Sequence, residues 1–245
     1  MRLQFIGCGD AFGSGGRFNT CFRLERESGG DILIDCGASS LIAMRQLGVD
    51  PNGVETIVVS HLHGDHFGGL PFFILDGQFY SRRTAPLMIV GPPGLDERLT
   101  QAMEVFFPGS STTRRRFETE VREVAPGGSI DVGDVRIEAI EVKHACGAPP
   151  LGLRLTLEGK TIAYSGDSEW TDALVDVGRG ADLFVVEALS YDKAVPQHLD
   201  YAAFRANATR IGAKRVVLTH MGPDMLARLA DAEHEAAADG KIIAV

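Results

Sequence analysis

Apolar positions along this chain recur in two rhythms. Short apolar or alternating runs read as strands at 1–6, 19–25, 31–35, 56–59, 87–90, 135–143, 183–187 and 214–219. Residues 117–142 read as successive short strands, and 151–165 as a hairpin turning at Glu158-Gly159. Longer stretches read as helices at 38–47, 69–80, 96–107, 171–177, 201–211 and 223–238. Gly48 closes the first of these, and Pro223 stands where a helix start tolerates proline. His234 falls in an Ala-rich part of the last one and reads as an exposed helical residue without function. Strands and helices mixed in this way indicate an α/β chain. No linker, repeat or low-complexity segment divides it, so a single domain over 1–245 is expected.

Several of these strands end in residues that bind metals. The run 56–59 leads into Ser60-His61-Leu62-His63-Gly64-Asp65-His66-Phe67-Gly68-Gly69, three imidazoles and a carboxylate on a loop leaving a strand. His61 and His63 are two apart and can face one side of an extended segment. Asp65 and His66 follow the turn and point elsewhere, so one segment can serve two neighbouring ions. His144 follows the strand at 135–143, Asp167 follows Tyr164-Ser165-Gly166, and His220 follows Leu218-Thr219. Strand ends on one sheet edge converge on one crevice. Imidazole and carboxylate without thiolate suit zinc and, less selectively, manganese or iron.

His-x-His-x-Asp-His with the later His144, Asp167 in Ser-Gly-Asp-Ser and His220 resembles the metallo-β-lactamase superfamily over nearly the whole chain. That resemblance implies a four-layer αββα sandwich with two zinc ions. One ion would take His61, His63 and His144, the other Asp65, His66 and His220, with Asp167 bridging. No Cys stands at Asp167, as it commonly does in true lactamases. Asp35 in Leu33-Ile34-Asp35-Cys36-Gly37, Gly91-Pro92, Glu187-Ala188, His198 and Leu218-Thr219-His220 are similar to motifs of the ribonuclease Z-like branch. The branch implies a phosphodiesterase in which a metal-bridging hydroxide attacks phosphorus. Asp65 would orient the water, and His198, polarised by Asp35 or Glu187, would act as acid. The stretch from His144 to Asp167 is too short for the branch's tRNA-gripping arm, and Leu189 stands where its Glu-Ala-Thr motif has Thr. The expected substrate is therefore a small or cyclic phosphodiester or an RNA-like one, with tRNA set aside. Hydrolysis of a carboxylic ester, lactone or thioester at the same site is the alternative. The branch commonly forms homodimers.

Composition narrows the partners. A net charge of −9 argues against broad nucleic-acid binding. Arg82-Arg83 and Arg114-Arg115-Arg116 are short basic runs that read as solvated faces or a subunit contact. The glycine-dense segment 7–16 lacks the spacing and lysine of a P-loop. No apolar run has the length of a membrane span. The four cysteines show no CxxC spacing and the start reads as a strand, so a reduced, cytoplasmic protein is expected.

Overall fold

Strands that pack both faces read as nearly continuous apolar runs, as 31–34 and 87–91 do. In the computed structural model, which describes residues 1–245, the chain opens with β1 (Arg2–Gly7), β2 (Cys21–Glu25), β3 (Asp31–Ile34), α1 (Ser40–Gln46) and β4 (Val54–Val58). Next come α2 (Gly64–Phe67), α3 (Leu70–Phe79), β5 (Leu87–Gly91), α4 (Leu95–Phe106) and β6 (Thr119–Glu123). The second half runs β7 (Ser129–Val132), β8 (Val135–Glu141), β9 (Leu151–Leu157), β10 (Lys160–Tyr164), α5 (Ala173–Gly178) and β11 (Leu183–Glu187). It closes with α6 (Tyr201–Ile211), β12 (Val216–Thr219), α7 (Pro223–Ala227), β13 (Glu235–Ala236) and β14 (Ile242–Ala244).

Two seven-stranded sheets result, ordered β14-β1-β2-β3-β4-β5-β6 and β13-β12-β11-β10-β9-β8-β7. The pleat sorts their side chains. Ile32 and Ile34 of β3 meet Leu153, Leu155 and Val185 in a core between the sheets. Leu33 faces the other way, onto Ala43 and Met44 of α1, and Ile57 and Ile89 join it beneath α3 and α4. Phe184 and Val186 of β11 pack outward onto Leu174, Phe204 and Met225 of α5, α6 and α7. The layers are therefore helix, sheet, sheet, helix, as the resemblance implies.

The strands β3 to β6 run parallel, as do β10 to β13. Their carboxyl ends share one edge of the sandwich, and β8, antiparallel to β9, points the same way. No helix is long and apolar enough to cross a membrane.

The end of the chain departs from the expected helix over 223–238. α7 stops at Ala227, a 3-10 turn spans Leu229–Asp231, and two short strands follow. β13 joins β12, and β14 joins β1, so the tail closes an edge of each sheet. Alanine's helix propensity is worth only tenths of a kcal/mol per residue, and the sheet edges outweigh it by burying Ala237 and Ile243. His234 lies outside any helix, its Nδ1 3.0 Å from the Tyr201 hydroxyl. Arg83 is not on a solvated face: it is buried, and its guanidinium donates to the carbonyls of Pro51, Val54, Ala85 and Pro86. All four cysteines are free and buried.

Candidate metal centre

At the shared edge, six strand ends deliver the residues singled out in the sequence. His61 follows β4, and His63 precedes α2. The single turn of α2 carries Asp65 and His66 into the neighbouring group, with the His66 ring 4.1 Å from that of His61. His144 leaves β8, Asp167 leaves β10, His220 leaves β12, Glu187 ends β11 and Asp35 follows β3. Close approach needs glycine twice. A Cβ on Gly37 would sit 2.1 Å from the Asp65 carbonyl, and Gly166 turns at φ +60° with the Leu151 carbonyl 2.7 Å from the same position.

The side chains form three groups, the third of which, Asp167, Glu187, His198 and His220, shares Asp167 and His220 with the second. His61, His63 and His144 offer nitrogens within 4.8 Å of one another, and Asp65, His66, Asp167 and His220 offer oxygens and nitrogens within the same distance. His144 Nε2 lies 3.0 Å from His63 Nδ1. Asp167 Oδ2 is 3.8 Å from His61 Nε2, 3.3 Å from His66 Nε2 and 3.4 Å from His220 Nε2, so it stands between the groups. Asp65 Oδ2 is 3.2 Å from both His66 Nε2 and His220 Nε2.

Three of the imidazoles are aimed by a bond on the far nitrogen. His66 Nδ1 meets Asp35 Oδ2 at 2.7 Å, His144 Nδ1 donates to the Gln197 carbonyl at 2.7 Å, and His61 Nδ1 meets Ser60 Oγ at 3.1 Å. Such partners fix the tautomer and leave the other nitrogen for a metal. Asp35 in turn accepts from Ser60 N and Oγ at 2.7 and 2.8 Å. It therefore serves His66; His198 is hydrogen-bonded to Glu187, Nδ1 to Oε1, with Asp167 Oδ2 3.9 Å from the same nitrogen. Glu187 also accepts from Ser168 N at 2.7 Å and faces His220 Nδ1 at 3.5 Å.

Two contributors carry no signal of their own in the sequence. Gln197 acts through its backbone carbonyl, which side-chain identity does not encode. Ser60 was visible only as the residue before the histidines. Cys146 is buried and bonds the Ala148 carbonyl, so it does not reach the cluster.

The electrostatics call for a cation here. Buried His61 Nε2, His66 Nε2 and Asp167 Oδ1 have no hydrogen-bond partner, a costly state for buried polar atoms. Burial holds His61 well below the usual imidazole range. For His220 burial also opposes charge, yet Asp167, Asp65 and Glu187 push it up to about 10. The carboxylates that raise it make the pocket one that favours positive charge. Nitrogen and oxygen donors converging without thiolate suit a divalent ion.

Fold and donor set together define a divalent-metal site at the edge of an αββα sandwich. A family profile described as a beta-lactamase superfamily domain matches residues 31–221, and the chain belongs to that superfamily. It is similar to the ribonuclease Z of Methanothermobacter thermautotrophicus, 28% identical over 272 positions covering 90% of this chain and 86% of that protein. The ribonuclease Z of Geobacillus kaustophilus is 26% identical over 280 positions, covering 90% and 88%. Both alignments exceed the 245 residues of this chain, so these relatives carry inserted residues that it lacks. The human short-form tRNase Z superposes with a TM-score of 0.80 at 26% identity, over 100% of this chain and 99% of that one. A diphosphatase of the PhnP family also gives 0.80, over 100% and 97%, at 20% identity, a likeness of fold. The ribonuclease Z-like resemblance thus extends from the motifs to the whole chain.

Proposed function

We propose that this protein is a hydrolase of phosphodiesters that works with two zinc ions. The observation that carries this reading is the placing of two donor groups side by side, with a hydrogen-bonded His198–Glu187 couple against Asp167 and His220. His61, His63 and His144 would hold one ion, Asp65, His66 and His220 the other, with Asp167 shared. Zinc supplies Lewis acidity, making water nucleophilic near neutral pH and drawing charge from a phosphoryl oxygen.

The chain's own residues supply orientation and a proton. Asp65 has a second oxygen with which to align the attacking water. Glu187 fixes His198 through Nδ1, and the protein leaves His198 Nε2 without a partner. That nitrogen is free to donate to the leaving oxygen, which otherwise departs as a poor alkoxide. His198 is partly exposed, as an acid that must meet substrate has to be. The two matched ribonucleases Z support a phosphodiester as substrate. The residues those relatives carry and this chain lacks support a small or RNA-like diester over tRNA.

The test is a metal-supplemented panel of bis-p-nitrophenyl phosphate beside ester, lactone and thioester substrates, with metal analysis on the same sample. About two divalent ions per chain and diester cleavage lost in Asp167→Ala are expected. Turnover confined to esters, lactones or thioesters would overturn the phosphodiester reading, and full activity with a single ion would overturn the two-ion reading.

A further inference from the structure

Gln197, the residue before His198, ties three loops of the site together. Its carbonyl accepts from His144 Nδ1 at 2.7 Å, and its side-chain Oε1 accepts from Ala145 N at 2.6 Å. Its own N–H donates to Glu169 Oε1 at 2.8 Å, and Glu169 holds Lys143 through its other oxygen at 2.6 Å. Two of these segments meet again at Glu187, which accepts from Ser168 N at 2.7 Å and bonds His198 Nδ1. The imidazoles of His144 and His198 lie edge to face, with ring centroids 5.0 Å apart. One residue therefore stands between a metal-site histidine and the proton donor.

Gln197 has left-handed backbone, with φ 71°, a conformation that a residue with a Cβ disfavours. Glycine would take this turn without strain and would keep both backbone hydrogen bonds. It would lose the Oε1 bond to Ala145. The side chain is thus present against the local backbone preference, and the hydrogen bond it makes goes to the residue after His144. Bonds from one residue to the consecutive positions 144 and 145 fix orientation as well as distance. Neither loop can then shift without the other.

We propose that Gln197 is a positioning residue that makes the ordering of the His61, His63 and His144 group and the setting of His198 one event. This rests on the phosphodiesterase reading above. His144, once fixed as a ligand, holds the Gln197 carbonyl through Nδ1; the Gln197 side chain holds Ala145; and the next residue, His198, is set against Glu187. Coupling of this kind is reciprocal, so loosening the Gln197 side chain weakens metal binding and proton donation together.

The experiment compares wild type, Gln197→Gly, Gln197→Glu, His198→Ala and the double variant Gln197→Gly/His198→Ala at saturating zinc. The substrates are UpU, whose leaving group is a ribose alkoxide, and bis-p-nitrophenyl phosphate. Zinc affinity is measured apart from activity, by competition with a chromogenic chelator, and thermal melting confirms that each variant is folded. Should Gln197→Gly melt early, Gln197→Met, which keeps the length and lacks the acceptor, takes its place. Gln197→Gly should slow UpU cleavage about tenfold more than p-nitrophenyl diester cleavage, in kcat rather than KM, and weaken zinc binding about tenfold. Gln197→Glu keeps an acceptor oxygen and should recover most of both. The double variant should cleave UpU no more slowly than His198→Ala, because a residue acting through His198 then has nothing left to position. Unchanged zinc affinity, equal losses on the two diesters, or losses that add in the double variant would each overturn the role of Gln197 alone. A wild type that cleaves only the p-nitrophenyl diester would remove the need for a proton donor and with it this role. If wild type cleaves neither, the phosphodiesterase reading falls and takes this one with it.

Discussion

Asp35, Gln197 and His220 all have left-handed backbone, with φ of 60°, 71° and 56°, and none is glycine. Such conformations cost about 1–3 kcal/mol and persist where surrounding structure enforces them. Each one turns the chain where a strand or loop must aim a group at the cluster. Asp35 shows what the turn achieves: a buried carboxylate accepting from His66 and twice from Ser60. Asp35→Asn keeps the shape and loses the charge, so it should weaken zinc binding by about 10–100-fold, the usual worth of a ligand's orienting partner. Competition with a chromogenic chelator measures this, and unchanged affinity would remove Asp35 from that role. His198 sits on the other side of the chemistry. His198→Ala should keep its metal yet slow diester cleavage by about 10²–10⁴. The loss should be smallest for p-nitrophenolate, which leaves without a proton, and largest for a ribose alkoxide. Equal losses on both would point to phosphate binding instead, and loss of metal would make His198 a ligand.

The elements explain which parts of this arrangement could be read from the sequence. The strand-end cluster is legible because His-x-His-x-Asp-His directly follows an apolar run, and the structure brings those side chains together. Asp35 and Glu187 were legible as motif residues, but pairing Asp35 with His66 rather than His198 depends on how β3 and β4 sit side by side. The tail after α7 was read as helix because alanine favours helix locally, whereas two sheet edges decide its course. At the opposite end of the second sheet Asp182 ties strands together, accepting from Thr161 N at 3.0 Å and facing Lys214 at 2.9 Å and Lys160 at 3.5 Å. The Lys214 hydrogen bond, with Thr161 N, pulls its pKa down to about 2. A carboxylate depressed in the folded state stabilises it above the unfolded value of about 3.9 and loses that contribution as pH falls towards 2. Because Lys214 is exposed, Asp182→Asn should cost only about 1 kcal/mol at pH 7. Urea titrations at pH 7 and pH 2 would show the difference shrinking at low pH. A gap of equal size at both would mean that charge is not what Asp182 contributes.

Across the whole molecule, charge and missing bulk bear on the same question, whether a large RNA can be gripped. A protein holding tRNA neutralises many phosphates, and each contact adds to a strong salt dependence. This chain carries −9, and its two basic runs do not form a platform: Arg83 is spent on backbone carbonyls in the interior, and Arg115 is half-buried near Met103. The connection between β8 and β10 is one strand, β9, and its turns, with no projecting segment. Precursor tRNA should therefore be cut far more slowly than a small diester, by at least about 10²-fold in kcat/KM at physiological salt. Side-by-side kinetics on precursor tRNA and bis-p-nitrophenyl phosphate, repeated at 50 and 200 mM salt, decide it. Comparable rates with a steep fall in salt would mean that the exposed arginines 82, 114 and 116 do the gripping, and alanine at all three would then abolish tRNA cleavage while sparing the small diester.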